Sequence, residues 1–149
     1  MTTISTPRNN TTALDQRPIA LVAWGATEAI LRHAQAALAR IDVTQPQWWA
    51  LNNIVRAEHG LTKEEIRALD VPYGMDTQVM VHAADALVHR GWLGVGADGR
   101  LTLTEQGHEG LATAKEHMDR VRSELLGDIT EEDYATAVSV LQHVTDNLA

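Results

Sequence analysis

The sequence predicts a mainly α-helical chain interrupted once by a small two-stranded hairpin. Three observations carry this. Apolar residues recur at steps of three and four over long stretches, the helical period. Thr or Asp residues stand where most of those stretches begin, and Gly where several end. Between Arg90 and Gly107 the pattern changes to R-G-W-L-G-V-G-A-D-G-R-L-T-L-T-E-Q-G, which reads as a helix stop, a tight hairpin and a new helix start.

Each element follows from local signals. From Pro18 to Ile41 the residues Ile19, Val22, Ala26, Ile30, Ala34, Ala37 and Ile41 form the stripe of a long helix. Thr44 caps a second helix with Pro46 in its first turn, Trp48, Leu51, Ile54 and Val55 as its inner stripe, and Gly60 as its stop. Thr62-Lys63-Glu64-Glu65 reads as a capping box opening a short helix to about Leu69, with Pro72 and Gly74 as breakers. Asp76 caps the next helix, in which Val79, Ala83, Ala86 and Leu87 are expected inside, and Gly91 takes the positive φ that ends it.

The hairpin pairs Trp92, Leu93 and Val95 with Leu101-Thr102-Leu103 around the turn Ala97-Asp98-Gly99-Arg100. Thr104 caps a long helix to about Leu126, with Leu111, Ala114, Met118, Val121 and Leu125 on one face, and Gly127 closes it. Thr130-Glu131-Glu132-Asp133 opens the last helix with acids at the positive end of its dipole, and Tyr134, Val138, Leu141, Val144 and Leu148 make its stripe. Helix, turn, helix and hairpin in this order are a winged helix-turn-helix, with a short two-stranded wing and long N- and C-terminal helices.

At 149 residues the chain suits one folded unit. Residues 1–16, rich in Thr and Asn without periodicity, read as a disordered tail. Residues 17–149 read as a single domain, with the winged helix at about 44–107 and the flanking helices at about 18–41 and 104–148. The flanking helices are too apolar to be covered by a winged helix alone, so a second copy is the expected partner and they are dimerisation helices. The chain has no cysteine, so disulfides and thiolate metal sites are excluded. Its start lacks the apolar core of a signal peptide and no run is long enough to span a bilayer, so a soluble cytoplasmic protein without membrane contact is expected.

Catalysis is not expected, because the sequence carries no phosphate-binding Gly loop, nucleophile elbow or carboxylate pair backed by a base. No cofactor is implied. Seven histidines raise the question of metal, but His82 and His89 are seven apart and His108 and His117 nine apart, which are not chelating spacings, so no metal site is assigned.

With these elements in place the chain resembles the MarR (multiple antibiotic resistance regulator) family of bacterial transcription factors. The resemblance covers about residues 18–148 and is most specific in L-V-H-R-G-W-L and D-G-R-L-T-L-T-E-Q-G within 87–107, supported by Q-W-W-A-L at 47–51 and the terminal T-E-E-D-Y. It implies a homodimeric DNA-binding regulator, mostly a repressor, of a pseudo-palindromic operator in double-stranded DNA, often released by small aromatic or lipophilic ligands. The wing is shorter than is common in the family and has Arg100 as its one arginine. Val81 and His82 stand where Thr and Arg are common. The alternative is a dimer of the same fold that binds DNA weakly or not at all and acts through a small-molecule or protein partner.

The net charge of −8 makes the location of positive charge decisive, since duplex affinity comes largely from Lys and Arg displacing phosphate counterions. Thr77, Gln78 and His82 on the recognition helix are the candidates for base edges. Lys63, Arg67, Arg90 and Arg100 are the candidates for phosphate, with Arg100 at the hairpin tip placed by the resemblance in the minor groove. Ordinary solvated surface is the competing reading for each. For the effector, the resemblance points to the crevice between the dimerisation helices and the winged helix, where Trp24, His33 and Trp49 are the candidates; the competing reading is that they fill core and interface.

Overall fold

The computed structural model describes residues 16–71 and 75–149. The expected tail, apart from Gln16, and the breakers Pro72 and Gly74 lie outside them. The described elements are α1 (Ile19–Ala39), α2 (Gln45–Arg56), α3 (Lys63–Arg67), α4 (Thr77–His89), β1 (Leu93–Val95), β2 (Leu101–Leu103), α5 (Glu105–Leu126) and α6 (Glu131–Leu148). The chain divides into two units, residues 1–33 and 34–149.

In the first unit the described part of α1 exposes Ile19, Leu21, Val22, Trp24 and Ile30. The Thr27 hydroxyl donates to the Ala23 carbonyl at 2.9 Å, a bond within the helix.

In the second unit the deepest side chains are Leu38, Leu51, Ile54, Ile66, Met80, Leu87 and Leu101, one or more from each of α1 to α4 and from β2. They form one core with Trp92, Leu111 and Ala114. α2 packs on α4 and β2, and α4 packs on α3 and β1, which is the helix-turn-helix with its wing. The wing strands run antiparallel in the register Leu93↔Leu103, Gly94↔Thr102 and Val95↔Leu101. Leu61, ahead of α3, adds a bridge that the sequence does not announce: its N–H donates to the Leu101 carbonyl at 3.2 Å and its carbonyl accepts from Leu101 N–H at 2.8 Å. A Cβ at Gly60 would collide with that Leu101 carbonyl, so the residue before the bridge has to be glycine.

The start signals are used as expected. Thr44, Thr62, Asp76, Thr104 and Thr130 each cap a helix by accepting a backbone N–H. The complete capping box, however, belongs to Thr44 and Gln47, whose two arms are 3.0 and 3.2 Å. At Thr62 the hydroxyl accepts from Glu65 N–H at 3.1 Å, while the Glu65 carboxylate goes to Arg100.

In two helices the inner stripe is shifted at its edge: Leu51, Ile54, Ala83 and Leu87 are buried and Trp48 packs on the core as expected, while one or two neighbours change sides. In α4 the buried residues are Met80, Val81, Ala83, Ala84 and Leu87, while Val79 is 41% exposed and Ala86 is exposed too. In α2 the buried stripe is Ala50, Leu51 and Ile54, and Val55 is exposed. Adjacent apolar residues differ by about 100° around a helix, and periodicity alone did not choose between neighbouring stripes. In α4 the longer Met80 takes the deep position.

Trp92 is the joint between these elements. Its side chain is buried, its carbonyl accepts Thr104 N–H at 3.0 Å, and the Thr104 hydroxyl donates to the Gly91 carbonyl at 2.6 Å. The ring lies against Gly110, and the Trp92 carbonyl lies against Gly107, so that a Cβ at either glycine would overlap it. The Arg90 guanidinium stacks 4.1 Å above the indole and donates to the carbonyls of Asp42 at 2.6 Å and Ile41 at 3.2 Å.

The last helix stands apart in character, with no buried residue and with Val138, Val140, Leu141 and Leu148 exposed. Arg122 of α5 holds its first turn, donating to both oxygens of Glu131 at 3.1 Å and lying 5.2 Å from the Tyr134 ring. The hydrogen bond, and then the charge, of Arg122 hold the Glu131 carboxyl below its ordinary range. A lowered carboxylate pKa contributes stability above its unfolded value, lost as pH falls through the folded value.

Two outcomes test this packing. Gly110→Ala is expected to destabilise the protein by about 1–3 kcal/mol through overpacking on Trp92. Gly25→Ala, where a Cβ meets no atom within 4 Å, should add helix propensity and stabilise by about 1 kcal/mol. Urea midpoints at constant m value separate the two. Carboxyl-detected NMR titration should find Glu131 below the ordinary glutamate range in the wild type and back within it in Arg122→Ala.

Candidate nucleic-acid interface

α4, the candidate for base contact, is capped by Asp76, whose carboxylate accepts Gln78 N–H at 2.9 Å and so sets the first turn. With Met80 and Val81 turned inward, Gln78, Val79 and His82 face solvent side by side, and Thr77 is half-buried. Two of the three candidates for base contact therefore lie fully on the outer face. Val79, expected inside, joins them and brings an apolar group to that face.

The cations around this face are mostly engaged. Lys63, at the start of α3, places Nζ 2.6 Å from the Asp85 carboxylate on α4. Arg100 is held at the base of the wing, with Nη2 3.1 Å from Glu65 Oε1 and Nη1 3.4 Å from Oε2. Its Nη1 also donates to the Gly60 carbonyl at 3.3 Å, and Nε lies 3.6 Å from Asp98. The hairpin tip itself is Ala97-Asp98-Gly99, with φ +80° at Gly99, and Arg100 turns back from it toward α3. Arg90 is bound to the Ile41 and Asp42 carbonyls and to the Trp92 ring, so the structure gives it a place in the joint. Among the described residues, Arg67 is exposed and has no ion pair.

Between the Ala57–Leu61 segment and the wing lies an open groove of about 650 Å³ bordered by Glu58, His59, Glu65, Asp98 and Arg100. Its charge is more acidic than basic. The proposed effector residues fall in different units: Trp24, 62% exposed, and His33 in the first, Trp49 in the second. Trp49 is half-buried against the core and borders a pocket of about 170 Å³ with Asn53, Arg56, Val71 and Met80.

Sequence reasoning missed Glu65 and Asp85 as partners of the two outer cations. Asp85 lies on the helix after Lys63, and Glu65 on a helix before the wing, so no local spacing links either pair. The short D-G-R run does signal the local Asp98–Arg100 contact.

No family model matches the sequence, and no curated protein matches it. Solved structures do. A MarR family transcriptional regulator from Silicibacter pomeroyi superposes with a TM-score of 0.72 at 18% identity, over 97% of this chain and 100% of that one. A MarR family protein of Mycobacterium tuberculosis in complex with DNA gives 0.71 at 17% identity, over 87% and 98% of the two chains. The same protein in complex with salicylic acid gives 0.65 at 17%, over 85% and 98%. The chain has the MarR-family fold.

Within the MarR fold, α3 and α4 are the helix-turn-helix and β1–β2 the wing, the assignment the sequence supports. The structural role of Arg90 has its own test. Arg90→Ala is expected to lose about 1–2 kcal/mol of stability, because two carbonyls lose their donor and the indole its cation. A thermal midpoint unchanged from wild type would contradict that role.

Proposed function

We propose that the protein is a homodimeric transcriptional regulator of the MarR type, a repressor, that binds a pseudo-palindromic operator in double-stranded DNA and is released by a small aromatic or lipophilic ligand. The observation that carries the reading is the outer face of α4, where Gln78, Val79 and His82 stand together on a capped helix of a winged helix-turn-helix. The occurrence of this fold in a protein–DNA complex supports it. In this reading Gln78 addresses adenine, His82 a guanine or phosphate, Val79 the methyl group of thymine, and Thr77 a neighbouring base or phosphate. Lys63, Arg67 and Arg100 meet the phosphate backbone. The protein works in the cytoplasm, without catalysis of its own and without cofactor or metal.

The exposed apolar residues of α1 and α6 support the homodimer, since stripes of this kind need a partner surface. A two-fold dimer brings two recognition helices to successive major grooves about 34 Å apart. The ligand acts by population shift: it favours an arrangement of the recognition helices that no longer matches that spacing. Trp24, His33 and Trp49 are its proposed contacts, and a salicylic acid complex of a protein with this fold supports an aromatic acid as the class to try first.

The engagement of Lys63, Arg90 and Arg100 favours a second reading, in which a dimer of this fold binds DNA weakly and acts through a small-molecule or protein partner. Salt dependence separates the two. Selection of bound fragments from genomic DNA should return an inverted repeat, and affinity for it should fall with salt by a log–log slope of about −0.9 per phosphate reached. Gln78→Ala should relax preference at one base position per half-site. Replacing the thymine facing Val79 with deoxyuridine should weaken binding severalfold in the wild type and leave Val79→Ala unaffected, as loss of one methyl contact requires. Recovery of no enriched sequence would favour the second reading. Titration with salicylate should change tryptophan emission and lower operator affinity together; no change in either would remove salicylate as effector.

A further inference from the structure

We propose that Glu65 and Asp85 occupy the phosphate sites of this face, so that the protein's own carboxylates compete with the DNA backbone for Arg100 and Lys63. This inference rests on the DNA-binding reading above and adds a device that sets its strength. The Glu65 carboxylate meets both terminal nitrogens of Arg100, at 3.1 and 3.4 Å, the forked arrangement that a phosphodiester also adopts on a guanidinium. Asp85 meets Lys63 at 2.6 Å, and no other side-chain hydrogen bond or ion pair of either residue is seen among the described residues. Glu65 leaves its local bond unmade: it stands at the third position of α3, the position from which Gln47 closes the capping box of α2, yet its carboxylate crosses to the wing.

Both pairs are open to exchange. The side chains of Lys63 and Asp85 are each 47% exposed, those of Arg100 and Glu65 36% and 41%. Ion pairs this exposed hold weakly and are screened by salt, so an incoming phosphate can displace them. While they persist they cancel two of the positive charges of the helix-turn-helix and wing and leave Arg67 as the unpaired cation of the proposed set among the described residues. After displacement each freed carboxylate still faces the duplex and repels it. Both effects lower the sequence-independent part of the affinity, which suits a protein that must reject bulk DNA.

The experiment measures binding of the full-length protein to a random-sequence 40-base-pair duplex from low to moderate salt, without need of an operator. Glu65→Gln and Asp85→Asn are each expected to bind about fivefold more tightly than wild type at low salt, with the log–log salt slope steeper by up to about 0.9 per cation freed. Glu132→Gln, the same loss of charge on α6, controls for net charge and should change affinity little. In the Lys63→Ala background the gain from Asp85→Asn should shrink to the part due to repulsion by the bare carboxylate, with no steepening of the salt slope, and in Arg100→Ala the same should hold for Glu65→Gln. Folding of each variant is checked by its thermal midpoint. Equal binding by wild type and the two amide variants, or an equal gain in Glu132→Gln, overturns the inference and leaves DNA binding standing. If neither wild type nor the double amide variant binds duplex even at low salt, the DNA-binding reading fails together with it. Binding only after the amide substitutions supports the inference.

Discussion

The packing of Trp92 is the constraint on which the 34–149 unit depends. Three residues past α4 and one before β1, it must bury an indole, lead into the wing and receive the cap of α5. Its carbonyl takes the Thr104 N–H, and its ring lies on Gly110. Helix, wing and long helix are thus fixed to one another within the stretch from Arg90 to Gly110. Arg90 extends the joint to the end of α1, because a guanidinium can stack on the ring and still reach two carbonyls. Close packing of this kind holds α4 rigidly against the wing, since the angle between them cannot change without opening the indole site.

Charge is the second organising feature, and it works against the first impression of a DNA-binding fold. A chain with net charge −8 needs its few cations to be well placed. Two of them, Lys63 and Arg100, are each matched to an acid from another element. A third, Arg90, serves the Trp92 joint. The face that remains presents Gln78, Val79 and His82, groups suited to base edges more than to phosphates. In the proposed function, specificity then comes from α4, and the backbone contacts are kept weak by the protein itself.

Much of this was legible in the sequence, for local reasons. Five N-caps, the helix stop at Gly91, the turn around Gly99 and the order of elements depend on residues within four positions of one another, whereas α2 ends at Arg56 with Ala57 as its C-cap, ahead of the expected stop at Gly60. The phase of α4 was not legible, because Val79 and Met80 each begin a plausible apolar stripe and only the shape of the core chooses between them. The Leu61–Leu101 bridge was not legible either, since its partners are separated by α3, α4 and the first wing strand.

The sequence by itself determined where the capped helices begin, that the hairpin follows α4, and that the terminal helices carry uncovered apolar stripes. These are properties of the backbone's local hydrogen bonding and of helical period, which near neighbours control. Tertiary structure decided which side of α4 looks outward and which acid each cation meets. Arg90, Lys63 and Arg100 are alike as letters, but their surroundings differ: one covers a buried indole and two face carboxylates brought from other elements. Long-range packing sets those surroundings, and with them whether a positive charge serves the fold or is left to exchange with a partner.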